Sequence, residues 1–327
     1  MMDSLMFCVI KVNGSAPHRT LPLAERRPPE WRDTDGKFIQ AHGAGVMFHG
    51  GLYYMYGQNL DGTTKPGGCG ARVDVIGVSC YASPDLVNWI NRGNVLPAVP
   101  DDRGHDLHPS KILERPKVVY NAKTRKFVMW AHIDAWDYSA ALAGVAVSDS
   151  PTGPFEYLGS IKPNGHDSRD MTVFQDDDGK AYLIHSGENN KTTIISELRD
   201  DYLAPSGRFG RIFVDRFMEG QAVFKREGKY YFIASGCTGW HPNEARSAVA
   251  DSIWGPWTEL GNPARGEGSD KTFNSQSTCV LPVAGGKDGY LFMADRWKIE
   301  DLASSGYLWL PIKFEDGRMV IDNPENL

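Results

Sequence analysis

The sequence predicts an all-β fold, a five-bladed β-propeller. A short motif of Lys or Gly followed by alternating aromatic and aliphatic residues occurs five times, as GLYYMYG (Gly51–Gly57), KFVMWAH (Lys126–His132), KAYLIHS (Lys180–Ser186), KYYFIAS (Lys229–Ser235) and GYLFMAD (Gly289–Asp295). The copies start at intervals of roughly 50–75 residues, enough for three or four short strands each. No stretch keeps a helical apolar period for three turns. A β-sandwich needs no such repetition, and a β-helix repeats over much shorter periods.

In chain order, residues 1–35 read as an N-terminal arm, Pro-rich over Leu21–Trp31, and residues 36–327 as the propeller. No linker divides the chain. Each motif strand follows a tight turn: HGG, NAKTR, DDDG, KREG and GGKDG. Each turn follows an apolar strand: GAGVMF, KVVYN, MTVFQ, QAVFK and TCVLPV. A third element closes each unit. Three copies share a Ser/Asp/Pro turn before an aromatic outer strand: YASPDLVNWINRG, VSDSPTGPFEYLGS and VADSIWGPWTELG. ISELRDDYLAPSG and SGYLWLPIKFEDG are looser copies. Asp176-Asp177-Asp178-Gly179 lacks the later ligands of a calcium loop and reads as a hairpin turn.

Composition narrows the function. Of 327 residues, 41% are hydrophobic, which suffices for a large core. A net charge of −6 with dispersed Lys and Arg argues against a nucleic-acid partner. No apolar run is long enough to span a bilayer. Met1–Ile10 has neither a basic n-region nor a small-residue cleavage site, so it does not read as a signal peptide. The five cysteines (Cys8, Cys69, Cys80, Cys237, Cys279) show no metal-ligand spacing. Cys69 and Cys80 are spaced to bridge neighbouring loops in an oxidising compartment; free, buried thiols are the competing reading.

In a propeller, residues at the start of each innermost strand converge on one hollow. Those positions read Gln40-Ala41-His42-Gly43, Leu113-Glu114-Arg115-Pro116, Ser168-Arg169-Asp170-Met171, Met218-Glu219-Gly220-Gln221 and Phe273-Asn274-Ser275-Gln276. Three carry carboxylates: Glu114, Asp170 and Glu219. Acidic groups facing one another cost stability, which points to function or a bound cation. Glu219, at the mouth of an aromatic hairpin, suits a general acid. Tyr56, Gln58, Trp136, Tyr138, Asn189, Asn190, Thr238, Trp240, Asp295 and Arg296 are candidate sugar contacts on funnel-facing loops. His42 approaches the channel centre, where a water or a structural calcium could sit; a satisfied core histidine is the alternative.

The hairpin pattern, with SRDMTVFQDDDGKAYLIHS, EGQAVFKREGKYYFIAS and SPDLVNW, resembles glycoside hydrolase family 43. QAHGAGVMFHGGLYYMYG, ERPKVVYNAKTRKFVMWAH and NSQSTCV resemble its exo-β-1,3-galactanase branch. The resemblance runs from about Gln40 to Pro311. It implies an inverting hydrolase with Glu219 as general acid and Asp170 as the group that orients it and tunes its pKa. The family's blade-one Asp base is missing here, as in the branch. Gln276 then matches the residue proposed to position the attacking water, in one view as an imidic tautomer. Glu114 matches an acidic sugar contact and is the alternative base. Tyr138, Asn190 and Thr238 match galactose contacts. Gln58 stands where relatives carry Glu. The implied activity is galactan 1,3-β-galactosidase; the alternatives are α-L-arabinofuranosidase, β-xylosidase or a non-catalytic sugar-binding propeller. The implied partner is an oligo- or polysaccharide, with no cofactor, no membrane or nucleic-acid partner, and a monomeric chain. Export is expected from the resemblance, although the chain shows no clear export signal.

Overall fold

The structure, a computed structural model, describes residues 21–283, 286 and 289–323. The readings of Met1–Ile10 and Cys8 lie outside this range. Five antiparallel sheets form the five blades. Blade one holds β1 (His42–His49), β2 (Leu52–Gln58), β3 (Gly77–Ser83) and β4 (Ile90–Pro97). Blade two holds β5 (Ile112–Asn121), β6 (Lys126–Asp134), β7 (Leu142–Ser148) and β8 (Glu156–Ile161). Blade three holds β9 (Met171–Gln175), β10 (Ala181–Gly187), β11 (Thr192–Leu198) and β12 (Pro205–Ile212). Blade four holds β13 (Met218–Arg226), β14 (Lys229–Gly236), β15 (Arg246–Ala250) and β16 (Thr258–Gly261). Blade five holds β18 (Gln276–Val283), β19 (Gly289–Arg296), β20 (Gly306–Glu315) and β21 (Arg318–Asp322). The short β17 (Ala264–Arg265) joins its outer edge in parallel with β21. The first strand of each blade lies at the axis, and these strands neighbour one another around the ring.

The repeated motif is the second strand of every blade, and its composition follows from the radial packing. A blade is covered on both faces, so successive side chains enter different cores. Tyr53 and Met55 join Leu281 and Trp309 of blade five. Tyr54 and Tyr56 join Val118 and Met129 of blade two. The same holds around the ring. Trp130 meets Leu183, Ile184 meets Phe232, and Ile233 meets Phe292. Each buried side chain of this size contributes about 1.5–3 kcal/mol relative to exposure.

The arm is sewn to both ends of the ring. Trp31 packs 5.0 Å from Tyr307 and 5.3 Å from Trp309, centroid to centroid. Tyr307 Oη accepts the Ala41 amide at 3.0 Å and donates to Ile39 O at 2.6 Å. Gln40 donates to Ala303 O at 2.8 Å.

The bridge considered between Cys69 and Cys80 does not form. Cys80 is buried on β3 with its thiol against Pro151 O, while Cys69 is exposed on the loop after β2. Both are free, as are Cys237 and Cys279. Asp176 caps the β9–β10 turn and receives Lys225 Nζ and the Tyr230 hydroxyl, each at 2.5 Å.

Candidate active site

The axial strands carry the site because four of them are interrupted at the same level. Pairing registers shift between His42 and Gly45, Glu114 and Lys117, Glu219 and Ala222, and Ser277 and Cys279. Such bulges re-aim side chains that a regular strand would direct between blades. Gly43, Arg115 and Gly220 adopt φ of +59°, +54° and +66° there. Gly220 is required on two counts. Besides its φ, a Cβ on it would lie 2.8 Å from Ser277 O. Arg115 holds the same conformation without that excuse, and its guanidinium is consumed by the site.

The bulges open a hollow at one end of the axis, about 530 Å³ with the open solvent at its mouth included. Its walls include Gln58, Cys69, Glu114, Arg115, Tyr138, Asp170, Glu219, Trp240, Gln276 and Trp297. The three carboxylates thus meet in one place. Asp170 Oδ2 accepts the Gly220 amide at 2.9 Å and pairs with Arg115 at 2.9 Å. Burial pushes Glu219 up to about 8, helped by the Asp170 charge; Arg115, the Cys237 thiol and Gln276 oppose the shift. Glu219 is therefore a carboxylic acid at neutral pH, able to donate a proton.

Glu114 is held by different partners. Its Oε1 accepts the Tyr138 hydroxyl at 2.6 Å, and its Oε2 lies 3.2 Å from His132 Nδ1. Glu114, His132 and Asp170 bring one donor atom each within 4.8 Å of one another, the spacing of a metal-ligand set. Arg115 pairs with Asp170, and His132 stands between Glu114 and Asp134.

The family resemblance gives Gln276 the positioning of the attacking water, at a hollow shared with Glu219 and Asp170. The structure puts its Nε2 3.0 Å from Glu219 Oε1 and 3.0 Å from Ser235 Oγ. Its Oε1 accepts Arg115 at 2.5 Å and the Trp297 indole at 2.9 Å. Arginine and tryptophan only donate, so they fix Oε1 as an unprotonated carbonyl oxygen. All four hydrogen-bonding positions of the amide are occupied, and no imidic hydroxyl fits between two obligate donors.

Other predicted contacts divide. Gln58, Tyr138 and Trp240 line the hollow. Asn190 and Thr238 do not. Asn190 ends a left-handed run with Glu188 and Asn189, and the Thr238 hydroxyl donates to His241 O at 2.6 Å and accepts from Asn243. Tyr56 is core, its hydroxyl on Pro151 O. Trp136, Asn189 and Arg296 also lie outside the lining. His42 and Asp295 form a buried pair at 3.1 Å, and the other His42 nitrogen meets Tyr307 Oη at 3.3 Å. His42 is thus a satisfied core histidine. The sequence reading missed the roles of Arg115, Trp297 and His132. The first stood inside the quoted Glu114-Arg115-Pro116 run, and the third shares a strand face with Asp134.

The model for "Glycosyl hydrolases family 43" matches residues 42–277. The chain belongs to glycosyl hydrolase family 43. It is similar to a family 43 β-1,3-galactosidase solved with galactodeoxynojirimycin, at 42% identity and a TM-score of 0.83, over 90% of this chain and 96% of that one. It is similar to an exo-β-1,3-galactanase from Phanerochaete chrysosporium solved with β-1,3-galactotriose, at 36% identity and a TM-score of 0.81, over 89% of this chain and 64% of that one. Among curated proteins it is 25% identical to a β-D-galactofuranosidase of Aspergillus niger, over 66% of this chain and 65% of the relative. An arabinoxylan arabinofuranohydrolase of Paenibacillus polymyxa is 27% identical over 64% of this chain and 36% of its own length. The chain spans less than two thirds of the length of these curated relatives.

Proposed function

We propose that the protein is an inverting, exo-acting galactan 1,3-β-galactosidase that releases galactose or branched galacto-oligosaccharides. The similarity to galactosidase and galactanase structures at 36–42% identity, over about nine tenths of the chain, supports the sugar and linkage. The observation that carries the chemistry is the placement of Glu219 in the wall of the hollow with Asp170 and Glu114, where burial and the Asp170 charge raise its pKa.

In this reading Glu219 protonates the departing glycosidic oxygen. Its Oε1 is occupied by Gln276, which leaves Oε2 to carry the proton. Asp170 and Arg115 hold the charge balance as that proton leaves. Inversion needs a water between the acid and a second group on the opposite face of the sugar. Gln276, hydrogen-bonded to Glu219 with both carbonyl lone pairs taken, orients the acid. Water activation then falls to Glu114, two blades from Glu219. Tyr138, Gln58 and Trp240 are the proposed sugar contacts. The residues need no cofactor for these steps, and a monomer suffices because every group comes from one chain.

The test is hydrolysis of β-1,3-galactan with the product anomer followed by NMR. Release of α-galactose supports the proposal; β-galactose, or no release, ends it. The galactofuranosidase and arabinofuranohydrolase relatives favour a second reading on furanosides, so furanoside substrates belong in the same assay.

A further inference from the structure

His132 on β6 is 1% exposed, and the catalytic reading above leaves it unused. Its Nε2 lies 2.9 Å from Asp134 Oδ2, and its Nδ1 lies 3.2 Å from Glu114 Oε2. The Nδ1 contact is an ion-pair contact, off the line of a well-formed hydrogen bond. Asp134 is itself immobilised. Its Oδ1 accepts the amides of Ala135, Ala140 and Ala141 at 2.9, 2.7 and 3.0 Å.

A carboxylate stands against each ring nitrogen. A neutral imidazole has one N–H, so one nitrogen would present a lone pair to an anion. The imidazolium offers a proton to both. Burial would push the group down, but the Asp134 hydrogen bond and the charges of Asp134 and Glu114 reverse this and raise it to about 9. Other groups face the cluster from neighbouring elements. Asp170 approaches from blade three, paired with Arg115. Tyr138 lies 6.0 Å away, ring to ring. Cys69 senses the charges of Glu114 and Asp134 from the loop after β2. Arg169 engages Tyr138 O.

We propose that His132 is a positioning residue: a buried imidazolium that couples Glu114 to the loop anchored on Asp134 and holds it as an oriented anion facing the sugar. One loop, residues 135–141, supplies both supports of Glu114. Its amides fix Asp134 and hence His132, and its Tyr138 hydroxyl fixes the other Glu114 oxygen. The inference rests on the hydrolase reading of the hollow. Protonated His132 faces Glu114 Oε2 with an N–H, and its deprotonation releases that oxygen.

The resting enzyme, labelled with ¹⁵N-histidine, provides the first measurement. Both His132 ring nitrogens are expected to be protonated at pH 7, with a titration near pH 9. A single ring N–H at pH 7 overturns the proposal. This readout needs no substrate, so it stands apart from the hydrolase reading, which fails separately if the wild type cleaves no glycoside. His132→Gln tests the side chain directly; because a buried site can fail to fold, Asp134→Asn is the companion variant. Asp134→Asn is expected to lower the His132 titration, cut kcat about 10–100-fold with KM nearly unchanged, and move the alkaline limb to lower pH, as loss of an orienting partner does elsewhere. A loss of equal size at every pH, or an unchanged profile, overturns it.

Discussion

A carboxyl group that must donate a proton near neutrality needs surroundings that disfavour its charge, and Glu219 has burial and the neighbouring Asp170 for that purpose. Glu219→Gln should lower kcat on galactan at least about 10²-fold, the low end for a lost general acid. Its melting temperature should hold or rise above pH 8, because the amide has no charge to bury. In the wild type, activity should fall as pH rises through about 8, where Glu219 loses its proton. The Gln276 hydrogen bond favours the Glu219 anion. Gln276→Ala should therefore move the alkaline limb upward while lowering turnover; a profile at the wild-type position would count against its role on the acid. Linkage gives His132 the opposite interest in pH. Its folded pKa lies above the unfolded value of about 6.5. The stability it contributes is thus complete below that value and lost as pH rises through about 9. The carboxylates were legible in the sequence because they recur at equivalent positions of separate blades. The hydrogen-bond partners of Gln276 were not, because only coordinates show that Glu219 takes its Nε2 while Arg115 and Trp297 take its Oε1.

At the scale of the element, the recurring device is the bulge in the axial strand. Gly220→Ala meets both a left-handed φ and Ser277 O at 2.8 Å. It should cost about 1–3 kcal/mol, read from the denaturation midpoint, and lower kcat by tilting Glu219. Strand identities were readable from the repeat, since a blade buried on both faces writes its second strand as continuous aromatic and aliphatic residues. Bulges were not, because one extra residue leaves the apolar pattern on either side intact. Asn190 and Thr238 show the same limit in loops. Asn190 stands in a left-handed run, Thr238 is tied to His241 O, and neither lines the hollow.

At the scale of the whole molecule, the ring closes between blades one and five, among the described residues, without a strand from one end of the chain entering a blade built by the other. Blade five instead takes its extra edge strand, β17, from the segment that follows blade four. The seam relies on the arm, on Asp295 receiving His42 and the Gly43 amide, and on Thr278 donating to Ala44 O at 2.7 Å. Trp31→Ala removes an indole from the Tyr307 and Trp309 faces and should cost about 2 kcal/mol, seen as a lower melting temperature with kcat retained. A ring clasped by side chains has a built-in point of first parting. Thermal breathing should begin there, and an engineered cross-link between the arm and blade five should slow heat inactivation more than the same link placed within any single blade.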